Sequence, residues 1–182
     1  YKVKTAEDGI YRIEYDELVS AGLVPGLTNP QNFQLFHRGE QIAITVAGQG
    51  DVSFDPGDYI EFYGSKNDGT LDQRLYKSPD LIPHNYYNLY SDSTAYFLTV
   101  GGSPGKRILE VQPIENIGGL PAEQWVLKEK LEVYSRAYSR GFTLNNYVAL
   151  TAYDTAEGFT GGRILEGNSD DYSITAINAQ AP

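Results

Sequence analysis

The run from Phe54 to Gly64, F-D-P-G-D-Y-I-E-F-Y-G, constrains the fold more than any other stretch of the chain. Pro56 presets φ at the first central position of a tight turn, and Gly57 supplies the positive φ that a type II turn needs at the second. The residues that follow alternate strictly, with Tyr59, Glu61 and Tyr63 on one face and Ile60 and Phe62 on the other. That is the pattern of a half-buried strand made of side chains that pack on a pleated surface. Gly64 ends it. A sharp turn feeding an aromatic strand is scaffold and brings no catalyst with it.

The same periodicity recurs along the chain. Ile10, Arg12 and Glu14 interleave with Tyr11, Ile13 and Tyr15, and Glu7-Asp8-Gly9 carries a hairpin signal between this run and Val3. Asp16 is the expected N-cap of a short helix near residues 16–21, with Leu18 and Val19 on its inner face and Gly22 as its left-handed terminator. Phe33–Phe36 and Gln41–Val46 are expected strands, joined by a His37-Arg38-Gly39-Glu40 hairpin. Tyr86–Tyr90, Thr94–Val100 and Arg107–Gln112 are expected to follow as strands, after a long polar loop over Ser65–Pro83. Loops of that length in compact domains bind something or pack on themselves. These elements predict an all-β, mostly antiparallel, sandwich-like fold with one short helix.

Residues 1–112 form the expected N-terminal β-domain, and Pro113–Gln124 a Pro/Gly-containing linker. Beyond it, Trp125–Tyr138 fits a helical stripe and an alternating strand alike. The strand is preferred, because aromatic and β-branched residues return at Tyr147–Tyr153 and again at Tyr172–Ile177.

Composition narrows the function classes. A net charge of −10 argues against a nucleic-acid partner, which needs a cationic surface. Lys and Arg form no run that would hold an anionic bilayer, and no apolar stretch approaches the roughly 20 residues that span one, so no membrane insertion is expected. The absence of cysteine excludes a disulfide framework, a thiolate metal site and a cysteine nucleophile within this chain. Fifteen tyrosines and nineteen glycines suit an extracellular β-sandwich. A start at Tyr1, with neither Met nor signal peptide, points to a piece of something longer.

Several constellations could carry chemistry, and each has a plainer explanation. Gly101-Gly102-Ser103-Pro104-Gly105 matches the G-x-S-x-G pattern of a nucleophile elbow, but no strand–turn–helix context surrounds it, so a hairpin turn is expected. His37 and His84 lie far apart, which is a poor start for a zinc site wanting about four ligands. Asn67, Asp68, Gly69 and Asp72 could contribute to a calcium loop, as could Asn168, Asp170 and Asp171. Neither run has the spacing of a calcium-binding loop, so solvated turns are favoured and no cofactor is expected. Asp55 and Asp58 are better placed to bond their own turn than to act as an acid/base pair. The tyrosines could form a sugar-stacking platform, as on a carbohydrate-binding sandwich, although cross-strand packing accounts for most of them.

Several of these stretches together resemble a known family. Asp8-Gly9-Ile10-Tyr11-Arg12-Ile13, Leu18 with Ala21-Gly22, Gln34-Leu35-Phe36 with Arg38-Gly39, and above all Phe54–Gly64 are similar to the N-terminal region of gingipain-like cysteine peptidases, nearest the sortase-like members of the type IX secretion system. Asn85-Tyr86-Tyr87, Tyr96-Phe97-Leu98 and the run Tyr153–Gly161 extend the likeness over most of the chain. In that family the region precedes a caspase-like domain with a His/Cys dyad, and nothing here matches the dyad. The resemblance implies a non-catalytic accessory domain at the cell surface or secreted, whose partners are its own downstream catalytic domain or secretion-system proteins. It also implies that 125–182 begins a second, incomplete jelly-roll-like domain. The expected interface residues are Tyr59, Tyr63, Leu71, Leu75 and Tyr76, on the outer face of the aromatic strand and in the polar loop.

Overall fold

The computed structural model describes residues 1–83, 86–111, 125, 127–142 and 152–175. By its contacts the chain divides into two units, Tyr1–Gln73 with His84–Glu110, and Arg74–Pro83 with Val111–Pro182. Residues 74–83, expected within the N-terminal domain, therefore belong with the second unit. The expected linker 113–124 lies outside the described residues.

The first unit is all-β apart from one short helix and several 3₁₀ turns. Its elements are β1 (Lys2–Thr5), β2 (Gly9–Glu14), α1 (Tyr15–Ser20), β3 (Phe33–His37), β4 (Glu40–Ile42), β5 (Thr45–Val46), β6 (Tyr59–Gly64) and β7 (Thr94–Val100). They form a four-stranded sheet in the order β1-β7-β3-β4 and a three-stranded sheet in the order β2-β6-β5, with every pairing antiparallel. One apolar core joins them: Phe33, Leu35, Tyr96 and Leu98 from the first sheet, and Ile13, Val46, Ile60 and Phe62 from the second. Phe62 meets Tyr96 at 5.1 Å between ring centroids, and Phe33 meets Phe54 edge-on at the same separation. Burying side chains of this size contributes about 1.5–3 kcal/mol each, which is what holds two small sheets together.

The opening turn of the aromatic strand forms as its residues dictate. Asp58 N donates to Asp55 O at 3.0 Å, Gly57 has φ +101°, and Asp55 N donates to Asp58 Oδ2 at 2.8 Å. The His37–Glu40 hairpin also forms, with positive φ at both Arg38 and Gly39, the two-residue turn whose twist matches antiparallel strands.

Long-range pairing overrides several local signals. β1 and β2 are not a hairpin: β1 pairs with β7 and β2 with β6, so Glu7-Asp8-Gly9 carries the chain from one sheet to the other. The expected single strand Gln41–Val46 breaks at Ala43, because its two halves serve different sheets. The helix begins one residue before Asp16, with Glu14 as N-cap and Glu14 N donating to Glu17 Oε2 at 2.9 Å. Leu18 is its one buried residue and Val19 is exposed, since six residues present too narrow a stripe for both. Gly22, at φ +97°, ends it as expected. Tyr86–Tyr90 is a bent turn, not a strand, because Asn88 Oδ1 accepts from the backbone N–H groups of Tyr90 and Ser91. Beyond Arg107, which makes one parallel bridge to Ile44, residues 108–111 form no strand, and Leu109 and Val111 are exposed.

In the second unit, β8 (Ala137–Arg140) pairs antiparallel with β9 (Glu157–Thr160). Tyr76 packs on Tyr153 at 5.3 Å, and its hydroxyl donates to Glu157 O at 2.7 Å. Of the expected strand Trp125–Tyr138, only Ala137 and Tyr138 are paired among the described residues, and Tyr172–Thr175 of the last expected strand is unpaired there. Residues 147–151 lie outside the described residues.

Candidate functional site

The expected sites concentrate in the first unit, on the polar loop after β6 and on the outer face of β2 and β6. The first part of the loop is tied down to the rest of the first unit. Ser65 N donates to the Tyr96 hydroxyl at 3.0 Å, Lys66 N to Asp8 Oδ1 at 2.8 Å and Asn67 N to Asp92 O at 2.8 Å. Asp68 accepts from Arg38 Nη2 at 2.9 Å and from Thr70 N at 3.1 Å. Burial alone would raise the Asp68 carboxyl, but the bonds from Thr70 and Arg38 outweigh it and hold the group at about 2. Asp72 is buried, and its carboxylate accepts from Asn88 Nδ2 and from Leu89 N, the latter at 2.9 Å. Gly69 is forced by this knot: its φ is +74°, and a Cβ there would press into the Tyr87 carbonyl. The calcium candidates Asn67, Asp68 and Asp72 are thus each engaged with protein donors or with Arg38. Among the described residues no group of three His, Asp or Glu side chains could hold a metal ion.

On the outer face, Ile10 stands opposite Tyr63, Arg12 opposite Glu61 and Glu14 opposite Tyr59. Arg12 donates to Glu61 Oε1 through Nε at 2.9 Å and Nη2 at 2.7 Å, and its guanidinium lies 4.0 Å over the Tyr59 ring. One face of Tyr59 is thereby covered, whereas Tyr63 is 57% and Ile10 68% exposed. The other expected interface residues divide. Leu71 is exposed at 57% and Leu75 at 36%, while Tyr76 is 6% exposed and belongs to the interior of the second unit.

The nucleophile-elbow residues do not assemble. Ser103 lies in a loop whose carbonyl accepts from Gln34 Nε2 at 3.0 Å. Gln34 is three positions along β3 from His37, about 10 Å at the rise of a strand. His37 instead stacks on Tyr96 at 4.1 Å, and its Nε2 lies 2.9 Å from Thr94 Oγ1. Burial, with Arg38 adding to it, lowers its pKa. His84 lies outside the described residues. Asn168, Asp170 and Asp171 are exposed. The loop Gly101–Gly105 is not a hairpin turn: Gly101 N and Gly105 N donate to Asn32 O and Gln31 O, laying the loop across the entry to β3.

Sequence reasoning missed Arg107, which lines an open cleft of about 380 Å³ together with Gln31, Gln49 and Pro104. Its Nε donates to Gln49 Oε1 at 2.8 Å, Nη1 to Phe33 O at 3.1 Å and Lys106 O at 3.2 Å, and Nη2 to Pro30 O at 3.0 Å and Gln31 O at 2.7 Å. All five N–H donors of the guanidinium are engaged, so it ties segments together and has none left for a ligand. No sequence signal could have found it, because most of its partners are backbone carbonyls more than seventy positions away.

The fold and these contacts define an all-β domain with a sandwich-like first unit. No family model, no curated protein and no solved structure matches the chain.

Proposed function

We propose that this chain is a non-catalytic accessory domain, prodomain-like or scaffolding, of a secreted or cell-surface gingipain-like cysteine peptidase of the type IX secretion system. The chain has no cysteine and so supplies no cysteine nucleophile. One observation carries the wider reading: among the described residues, the side chains weighed above for chemistry are committed to holding backbone or one another. Asp68 and Arg38 hold each other and the polar loop, Asp72 holds the turn at Asn88, Asp58 holds its own turn, His37 is stacked and bonded, and Arg107 pins the entry to β3. What remains toward solvent on the smaller sheet is an apolar pair and an ion pair, the makings of a contact surface. The partner is the parent's own downstream catalytic domain or a component of the secretion machinery.

Calorimetric titration of this chain against the separately expressed downstream domain tests the reading, with saturable binding or inhibition of peptidase activity expected. Hydrolytic activity of the chain alone, abolished in Ser103→Ala, would overturn it. Selective glycan-array binding without affinity for the downstream domain would replace it with a carbohydrate-binding module.

A further inference from the structure

Among the described residues the two sheets of the first unit have four unpaired outer edges, and all but one are guarded. β1 presents Lys2 and Lys4, both exposed, and charged edge residues of this kind discourage strand addition. β4 and β5, the edges at the other ends, have three and two residues, too short to template a partner. β2 differs. It has six residues and no proline, its one cation Arg12 is held by Glu61, its one anion Glu14 stands at the end where the helix begins, and among the described residues no strand pairs with its outer side.

The register shows which groups are on offer. Tyr15 N donates to Asp58 O, so Tyr15 and the alternate residues Ile13, Tyr11 and Gly9 bond toward β6. The N–H and C=O groups of Ile10, Arg12 and Glu14 then point away from the sheet. Glu14 N confirms this, since it turns outward to the Glu17 carboxylate. Beside this edge lies the most exposed apolar pair of the sheet, Ile10 with Tyr63. From Thr5 to Ala21 the chain carries Glu7, Asp8, Glu14, Asp16 and Glu17, all exposed, with Asp8 and Glu17 each already accepting one backbone N–H, against the single cation Arg12, which Glu61 already neutralises.

We propose that the outer edge of β2 takes an extended polypeptide segment as a further strand, and that this segment is basic at its ends with an aliphatic side chain beside Ile10 and Tyr63. Backbone hydrogen bonds to Ile10 and Arg12 supply affinity, and the apolar pair and the acidic flanks supply selection. A second copy of this chain is the poorer occupant, because it would bring the same carboxylates against themselves. The inference rests on the accessory-domain reading above and names the surface and partner chemistry for it.

The probe is an acetylated, amidated nonapeptide of alternating Thr and Val with two Lys at each end, titrated into the full chain and followed by amide hydrogen exchange. Saturable binding is expected, with at least about tenfold slower exchange at Ile10 and Arg12 and several-fold weakening as salt rises and screens the charges. Arg12→Pro deletes an outward N–H and leaves the β2–β6 backbone bonds in place, and should weaken binding at least about tenfold, whereas Arg12→Ala, which loses the same contacts to Glu61 and Tyr59 but keeps the N–H, should not. Ile10→Lys, which adds an edge cation, should weaken binding as Arg12→Pro does, and takes its place if the proline variant does not fold. No binding, equal binding of the peptide with Glu in place of Lys, or protection at Lys2–Thr5 instead would overturn the proposal. So would a dimer of the chain that Arg12→Pro dissociates. The assay contains no downstream domain. Failure here with retained binding to that domain removes the edge and leaves the accessory reading, whereas success here without such binding does the reverse.

Discussion

Arg107 offers the sharpest test of how this sandwich is held. Gly101 N bonds Asn32 O, so the backbone groups of Phe33 face the opposite side of β3, where β4 has no residue to meet them. The guanidinium fills that gap and reaches the carbonyls of Pro30 and Gln31 in the same fan. Hydrogen bonds to a charged group contribute about 1.5–3 kcal/mol each where well shielded. Two considerations reduce the total. Arg107 is half-buried, and the Pro30 and Gln31 carbonyls retain Phe33 N and Gly105 N as donors. Arg107→Met, which keeps the stem and removes the fan, should therefore cost about 3 kcal/mol. Arg107→Lys should still cost about 2 kcal/mol, because a compact ammonium cannot span carbonyls on three sides. For a unit of roughly 100 residues the first loss corresponds to a drop in Tm of roughly 12–24 °C. Urea unfolding followed by tyrosine fluorescence and far-UV circular dichroism measures it, with an unchanged slope required. A Met variant within about 0.5 kcal/mol of the parent, or a Lys variant equal to Arg, would refute the reasoning.

Val52 has φ +67° and is half exposed, so Val52→Asn should stabilise the chain by about 1 kcal/mol, read as a rise in urea midpoint; destabilisation would mean its methyl groups matter more than its backbone. Gly69→Ala should cost more than about 2 kcal/mol, since both its φ and the Tyr87 carbonyl oppose a Cβ; thermal unfolding that leaves Tm unchanged would show the polar loop to be slack. Acid should act in two windows. The lowered pKa of His37 means the unfolded chain binds that proton first, so stability falls as pH drops below about 6.5, a slope that His37→Gln should abolish. Asp68, held at about 2, stabilises above the ordinary carboxylate range and ceases to as pH falls through that value; Asp68→Asn should flatten urea midpoints between about pH 4 and 2.

The elements legible in the sequence were those whose signal is local. The Asp55–Asp58 turn, the alternation along β6, the Arg38-Gly39 hairpin and the helix terminator at Gly22 each depend on the φ preferences or side-chain period of a few adjacent residues. The polar loop was legible as a segment in need of a role, and its carboxylates as candidates, but not its anchoring to Tyr96, Asp8, Asp92 and Arg38, all distant in sequence.

Tertiary structure decided everything that depends on which distant backbone a strand meets. Glu7-Asp8-Gly9 has the composition of a hairpin, yet β1 finds β7 and β2 finds β6, because separating them lets Val3 and Ile13 approach one core from opposite sheets. Arg107 became a pin only when residues 30–33 were brought beneath it, and Asp72 a buried anchor only when Asn88 and Leu89 closed over it. A hydrogen bond to a remote carbonyl leaves no trace in side-chain periodicity, since every residue offers the same carbonyl. Local chemistry thus set the strands and turns of this protein, and long-range pairing set which polar groups became structure and which edge, among the described residues, stayed open.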